Sequence, residues 1–153
     1  MPNYVRNILR INGENIQAVC DFVRSDNSVF DFEKIKPIPQ TCANSYHWCM
    51  ENWGTKWNAV DAFLSNIEYN FDTAWSAPIP VIQKLSRLFP NNTFTLIWAD
   101  EDAGENCGEI RFIKGFEYFW FYHGTAEEIS EIYKECWGVP PFDEEDFLNA
   151  EID

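Results

Sequence analysis

The chain predicts an α+β domain of the split βαββαβ kind, on three observations. Segments whose apolar residues alternate with a period of two are interleaved with segments of period 3.6. Their order is strand, helix, strand, insertion, strand, helix, strand, then a hairpin and a helix, an order that places helices on one face of a mainly antiparallel sheet. The 153 residues, 46% hydrophobic and 24% charged, suit one globular domain over residues 1–153 with a core of its own.

Residues 4–11 (YVRNILRI) read as the first strand, with Val5, Asn7, Leu9 and Ile11 on one face and Ile8 opposite; Asn12-Gly13 is a turn signal. Ile16, Val19, Cys20 and Val23 recur at i, i+3, i+4 and i+7, so 14–25 is predicted as a helix. In 28–35, Phe30 and Phe32 alternate with Asp31 and Glu33, the pattern of a half-buried strand stopped by Pro37 and Pro39. Residues 37–65 break the rhythm and are predicted as an aromatic insertion. Within it Ser45 caps a short helix with Tyr46, Met50 and Trp53 on one stripe, and Gly54 ends that helix.

In 66–75, Ile67, Tyr69, Phe71, Thr73 and Trp75 share one strand face, with Glu68, Asn70 and Asp72 opposite. Ser76 reads as the N-cap of a helix over 79–89, with Ile82, Leu85, Leu88 and Phe89 inward. Residues 93–99 form a strand, and 108–114 and 116–122 a hairpin about Lys114-Gly115. Thr125 and Glu128 make a capping box for a helix whose inner face is Ile129, Ile132, Tyr133, Cys136 and Trp137, ended by Gly138 and Pro140. The added hairpin and helix thus cover about 108–138, and 142–153 is an acidic tail.

Charge narrows the function classes. Residues 1–100 hold 10 acids and 8 bases, whereas 101–153 hold 15 acids and 3 bases, net −12 of the total −14. Such a surface repels phosphate backbones and anionic membranes, which predicts no direct nucleic-acid binding and no membrane contact. A basic protein partner is the complement it suits. The start, MPNYVRNILR, lacks a signal-peptide core, and the five cysteines (20, 42, 49, 107 and 136) are odd in number and irregular in spacing. Both predict a reducing, cytoplasmic setting.

The most distinctive stretch is WCMENWGTKWN, residues 48–58. Lys56 among Trp rings suits a cation–π contact and a pocket in which it meets an anion or carbonyl while Trp53, Trp57 or Trp75 stacks on a ring. The other use of these rings is to pin an irregular insertion to the sheet, and Trp53, Trp57 and Trp75 are expected to be mainly structural. FDTAWSAPIP, residues 71–80, adds Thr73 and Trp75; the ligand-binding candidates are therefore Trp53, Lys56, Trp57, Asn58, Thr73 and Trp75. No catalytic residue is assigned, and no GxSxG elbow or glycine-rich phosphate loop is present. Cys42, His47 and Cys49 lack finger spacing and a fourth ligand, so no metal and no cofactor is expected. A pair between Cys49 or Cys107 and His123 needs a spatial neighbourhood that sequence does not supply. Tyr69, Phe71, Trp98, Tyr118 and Trp120 are aromatics eligible for stacking single-stranded RNA, without the RNP signatures or a basic surface.

MPNYVRNILRING, WCMENWGTKWN and FDTAWSAPIP together resemble the YubB-type ferredoxin-like proteins of plasmids, phages and bacterial genomes. Trp53, Gly54, Thr55, Lys56 and Trp57 match the WGTKW motif of that family. Thr73, Ala74, Trp75, Ser76 and Pro78 match its TAWSPP-like motif, with Ala77 in place of the first proline. The resemblance, over residues 2–122, implies a ferredoxin-like fold and a mobile-element or bacterial cytoplasmic setting, and carries over no catalytic residue. The fold name implies no iron–sulfur cluster, and these cysteine spacings would not hold one. The leading expectation for function is a non-enzymatic interaction module whose acidic surface engages a basic protein. The alternative is a small-molecule-binding protein or enzyme built on the Trp/Lys cluster.

Overall fold

The computed structural model describes residues 3–66, 68–121 and 124–141. Six strands and five helices follow in the order β1 (Tyr4–Gly13), α1 (Ile16–Val23), α2 (Phe32–Ile35), α3 (Ser45–Asn52), β2 (Val60–Ser65), β3 (Glu68–Ala74), α4 (Ile79–Leu88), β4 (Asn92–Asp100), β5 (Cys107–Ile113), β6 (Phe116–Phe121) and α5 (Ala126–Trp137). The strands form one sheet in the order β2-β3-β1-β4-β5-β6, and every neighbouring pair is antiparallel. The split βαββαβ unit is β1, α1, β2, β3, α4 and β4; the β5–β6 hairpin and α5 are additions. This is the ferredoxin-like arrangement the sequence predicted.

The period of two sorts the sheet into two buried faces. Val5, Leu9 and Ile11 of β1 lie on one face with Tyr69 and Phe71 of β3, Phe94, Leu96 and Trp98 of β4, and Ile110 and Phe112 of β5. Val19 and Val23 of α1, Phe32 and Ile35 of α2, and Val81, Ile82 and Leu85 of α4 close that core. The opposite parity, Ile8, Ile97, Ala99 and Cys107, meets Cys136 of α5, with Ile129, Ile132, Tyr133 and Trp137 packed around it. Both faces of the central strands are therefore covered, which is why Ile8 is apolar although it opposes its neighbours.

Polar contacts seat α5. Arg6 pairs with Asp72 at 2.8 Å and lies 4.1 Å from the Trp137 ring centroid. Hydrogen bonding to Asp72 raises the Arg6 pKa, against an opposing desolvation cost. Arg10 bridges Glu68 and Glu135, and the Trp137 indole donates to the Ala99 carbonyl at 3.0 Å. The capping box is formed in full: Glu128 N–H donates to the Thr125 hydroxyl at 3.2 Å and Thr125 N–H to the Glu128 carboxylate at 3.1 Å. The hairpin turns at Lys114 and Gly115, both with positive φ (53° and 81°), the backbone of a tight two-residue turn.

Several expectations are corrected. Residues 28–35 are not a strand. The Asp31 carboxylate accepts from Glu33 N–H at 2.9 Å and caps the single helical turn α2. Phe30, Asp31 and Phe32 are all buried, Phe30 stacked on Phe71 with centroids 5.0 Å apart, so the Phe-Asp-Phe alternation marked a capped turn rather than a pleat. The second strand lies instead at the end of the stretch predicted as an insertion: Val60–Ser65 pairs with β3. Its pattern is blurred by a register shift between Val60 and Phe63 and by Asp61 at φ 53°.

In α3 the cap is Asn44, not Ser45. Cys49 and the half-buried Trp48 face inward, while Tyr46 and Met50 are exposed. In α4, Val81 joins the core and Leu88 is exposed. Ser76 does not cap α4; Pro78 holds that position without a side-chain bond. Ile67, His123 and the acidic tail 142–153 lie outside the described residues.

Candidate functional site

The two distinctive stretches meet in space, joined by their smallest polar side chains. The Thr55 hydroxyl donates to the Ala74 carbonyl at 2.7 Å, and the Ser76 hydroxyl to the Gly54 carbonyl at 2.5 Å. Thr73, fully buried, donates to the Ser76 carbonyl at 2.8 Å and accepts from the buried Asn7 amide at 2.9 Å. Thr73 is thus a structural tie in the core-facing row of β3. Gly54 sits at φ +75°, and a Cβ there would stand 2.7 Å from Pro80 Cδ. Glycine is required both by the left-handed backbone and by that approach.

Trp53 is only 2% exposed. Its ring meets Phe32 and Trp48 edge-on at centroid distances of 5.4 and 5.7 Å, and its indole N–H donates to the Lys36 carbonyl at 2.9 Å. These contacts tie Trp53 to α2, to the α2 C-cap Lys36 and to α3. Asn58 is likewise a clamp: its carbonyl oxygen accepts from Phe32 N–H (3.0 Å) and Ala59 N–H (2.8 Å), and its amide donates to Asp31 (2.8 Å). Burial opposes charge on Asp31, but the hydrogen bonds from Asn58, Ser25 and the Glu33 backbone outweigh it and hold the carboxyl below its usual range.

Trp75 departs from expectation. The strand ends at Ala74, and Trp75 takes φ 68°, which turns its ring out of the core-facing row and leaves it 45% exposed. Its backbone is held on both sides, by its N–H to the Asn3 carbonyl and its carbonyl from the Asn106 amide, each at 2.9 Å. The ring covers Lys56. The Lys56 ammonium lies 4.4 Å from the Trp75 centroid, 5.3 Å from that of Trp57 and 5.2 Å from that of Tyr46. No carboxylate lies within ion-pair distance of it among the described residues.

Beside this cage a cleft of about 400 Å³ is lined by Tyr46, Cys49, Trp53, Lys56, Trp57 and Asn58 together with Glu33, Ile38 and Ser45. Four of the six predicted ligand-binding candidates line it; Trp75 and the buried Thr73 are not among its lining residues. Sequence reasoning missed Tyr46 and Cys49 as cleft residues. The i, i+4, i+7 spacing sets Tyr46 on one stripe with Met50 and Trp53, and no pattern in the chain links that helix to Lys56. Burial pushes the Cys49 thiol up, so it sits in the cleft protonated.

The other candidates do not assemble among the described residues. His47 faces Glu51 at 3.1 Å, and no cluster of three metal-ligating side chains occurs among the described residues. Cys107 is buried and its pKa is raised by desolvation. Tyr69, Phe71 and Trp98 are core residues, leaving only Tyr118 and Trp120 of the proposed stacking set exposed.

The profile of the ferredoxin-like domain in Api92-like proteins matches residues 52–145, more than half of the chain, including residues 52–58 of the first stretch and all of the second. The chain belongs to this family. Among solved structures, the protein api92 from Yersinia pseudotuberculosis is similar over 63% of this chain, with a TM-score of 0.51 and 14% identity. The aligned part covers 40% of that chain, and the likeness concerns the fold. No curated protein matches. The Api92-like domain here thus combines a shared fold with a Trp/Lys cage whose parts all lie within the matched span except Tyr46.

Proposed function

We propose that this Api92-like domain is a non-enzymatic binding module whose cleft takes a small ligand bearing a carboxylate or phosphate. The observation that carries the reading is Lys56. In a chain with 25 acids and 11 bases its ammonium takes no carboxylate partner among the described residues, and is held by three aromatic rings at the edge of a cleft. Cation–π contacts fix a cation without neutralising it, so the charge stays available to an anion. Trp57 and Tyr46 offer flat faces beside it, and Asn58 ties the cleft floor to α2. The reading takes residues 1–153 as one domain. The resemblance to YubB-type proteins supports a cytoplasmic, mobile-element setting.

Calorimetry and thermal shift against a panel of carboxylates, phosphates and mononucleotides test it. The expected result is a ligand whose binding is lost in Lys56→Met and weakened in Trp57→Ala. A panel without a binder, or a binder indifferent to Lys56→Met, refutes it. A second reading, an acidic surface engaging a basic protein, is supported by the 15 acids against 3 bases of residues 101–153.

A further inference from the structure

Among the described residues β6 ends the sheet, with β5 on one side and no strand on the other. Its side chains are largely uncovered: Phe116, Tyr118, Phe119 and Trp120 are all exposed, Phe116 by 74% and Trp120 by 59%. Natural edge strands are protected by charge, proline or a short length. This one carries five aromatics and a single charge, Glu117, over six residues. The register with β5 skips Tyr118, so Phe119 and Phe121 face the α5 side with Glu109 and Arg111, while Trp120 lies on the other side opposite Ile110. Between β6 and α5 runs a groove of about 160 Å³ lined by Phe119, Phe121, Ile132, Glu109, Glu128 and Glu131. Glu109 is paired with Arg111 at 2.6 Å, and Arg111 also caps the Phe119 ring. Glu128 and Glu131 leave the groove acidic and aromatic at once.

We propose that the β6 edge is a docking site for an extended segment of a basic protein, added to the sheet as a seventh antiparallel or parallel strand. Its Lys or Arg side chains would enter the β6–α5 groove. Strand addition satisfies the backbone groups of β6 that no described strand pairs, and alternate side chains of the incoming segment fall on the groove side, which matches period-two spacing of cations. An aromatic ring beside two carboxylates suits a guanidinium or ammonium stem and head. A second copy of this chain is the poorer fit. A two-fold pairing sets the same patch against itself, bringing Glu117, Glu128 and Glu131 against their own counterparts in molecules of net charge −14 each. This site is independent of the Lys56 cleft and gives the acidic-surface reading a definite place.

The test uses the full chain and an eight-residue peptide of alternating arginine and valine, with alternating glutamate and valine as control, followed by calorimetry and by amide hydrogen exchange. The expected result is binding of the arginine peptide alone, weakened by salt, with new protection of the β6 amides. Glu131→Lys, at an exposed helix position, should weaken binding about tenfold, and Phe119→Ala should also weaken it. Binding unchanged in both variants, or without protection of β6, overturns the proposal. So does a dimer in sedimentation analysis whose free β6 amides are already protected, since the edge would then belong to a second copy.

Discussion

Two tryptophans assigned the same role by sequence should differ sharply when each is cut to alanine. Trp53 is enclosed by Phe32 and Trp48, and its N–H satisfies the Lys36 carbonyl. Removing a buried indole costs about 3–5 kcal/mol for lost burial and the cavity left behind. Leaving the Lys36 carbonyl without its donor adds about 1 kcal/mol. The sum, about 4–6 kcal/mol, is a large share of the about 5–15 kcal/mol that holds a domain together. At about 2–4 °C per kcal/mol for this size, Trp53→Ala should lower the melting temperature by roughly 10–20 °C. Trp75 is 45% exposed and its main specific contact is the Lys56 ammonium. An exposed cation–π contact contributes about 0.5–1 kcal/mol. With its partial burial, Trp75→Ala should cost only about 1–2 kcal/mol, a few degrees. Paired thermal and urea melts of the two variants decide the matter. Equal losses, or a Trp53→Ala loss below about 4 °C, would refute the division into one anchor and one cage wall.

Three more outcomes follow from the same contacts. Asp31 has its pKa held down in the folded state, so its contribution to stability is present above the unfolded value of about 4 and is lost as pH falls through the folded value. Urea midpoints measured from about pH 6 to 2 should fall less steeply for Asp31→Asn than for the parent chain, and parallel curves would contradict this. Gly54→Ala places a Cβ against Pro80 at a backbone φ of +75°; a loss of at least about 2 kcal/mol by chemical denaturation is expected from strain and overpacking. Burial raises the pKa of Cys49, Cys107 and Cys136, whereas Cys20 and Cys42 are only half-buried. Iodoacetamide labelling of the native chain, read by peptide mass, should therefore modify Cys20 and Cys42 well before the other three.

The sequence by itself determined the elements whose reasons are local. The parity of Val5, Leu9 and Ile11, the two left-handed residues at Lys114-Gly115, and the Thr125–Glu128 box depend on neighbours at most four residues away, and each stands in the structure as read. The identity of the second strand was decided elsewhere. Phe30-Asp31-Phe32 has a strand-like alternation, but the Asp31 carboxylate finds Glu33 N–H and Asn58, and both phenyl rings find Phe71. Val60–Ser65, a weaker pattern, pairs with β3 because that edge is the one left open. The site shows the same division. WGTKW and TAWS are conspicuous as strings, yet only the fold shows that Thr55 and Ser76 lace them together across a separation of about twenty residues. Only the fold shows Trp75 turning outward at φ 68° to cover Lys56, with Tyr46 arriving from α3. Hydrogen bonds and ring contacts between segments distant in sequence leave no periodic trace, because nothing in a chain's spacing records which carbonyl a distant hydroxyl will meet.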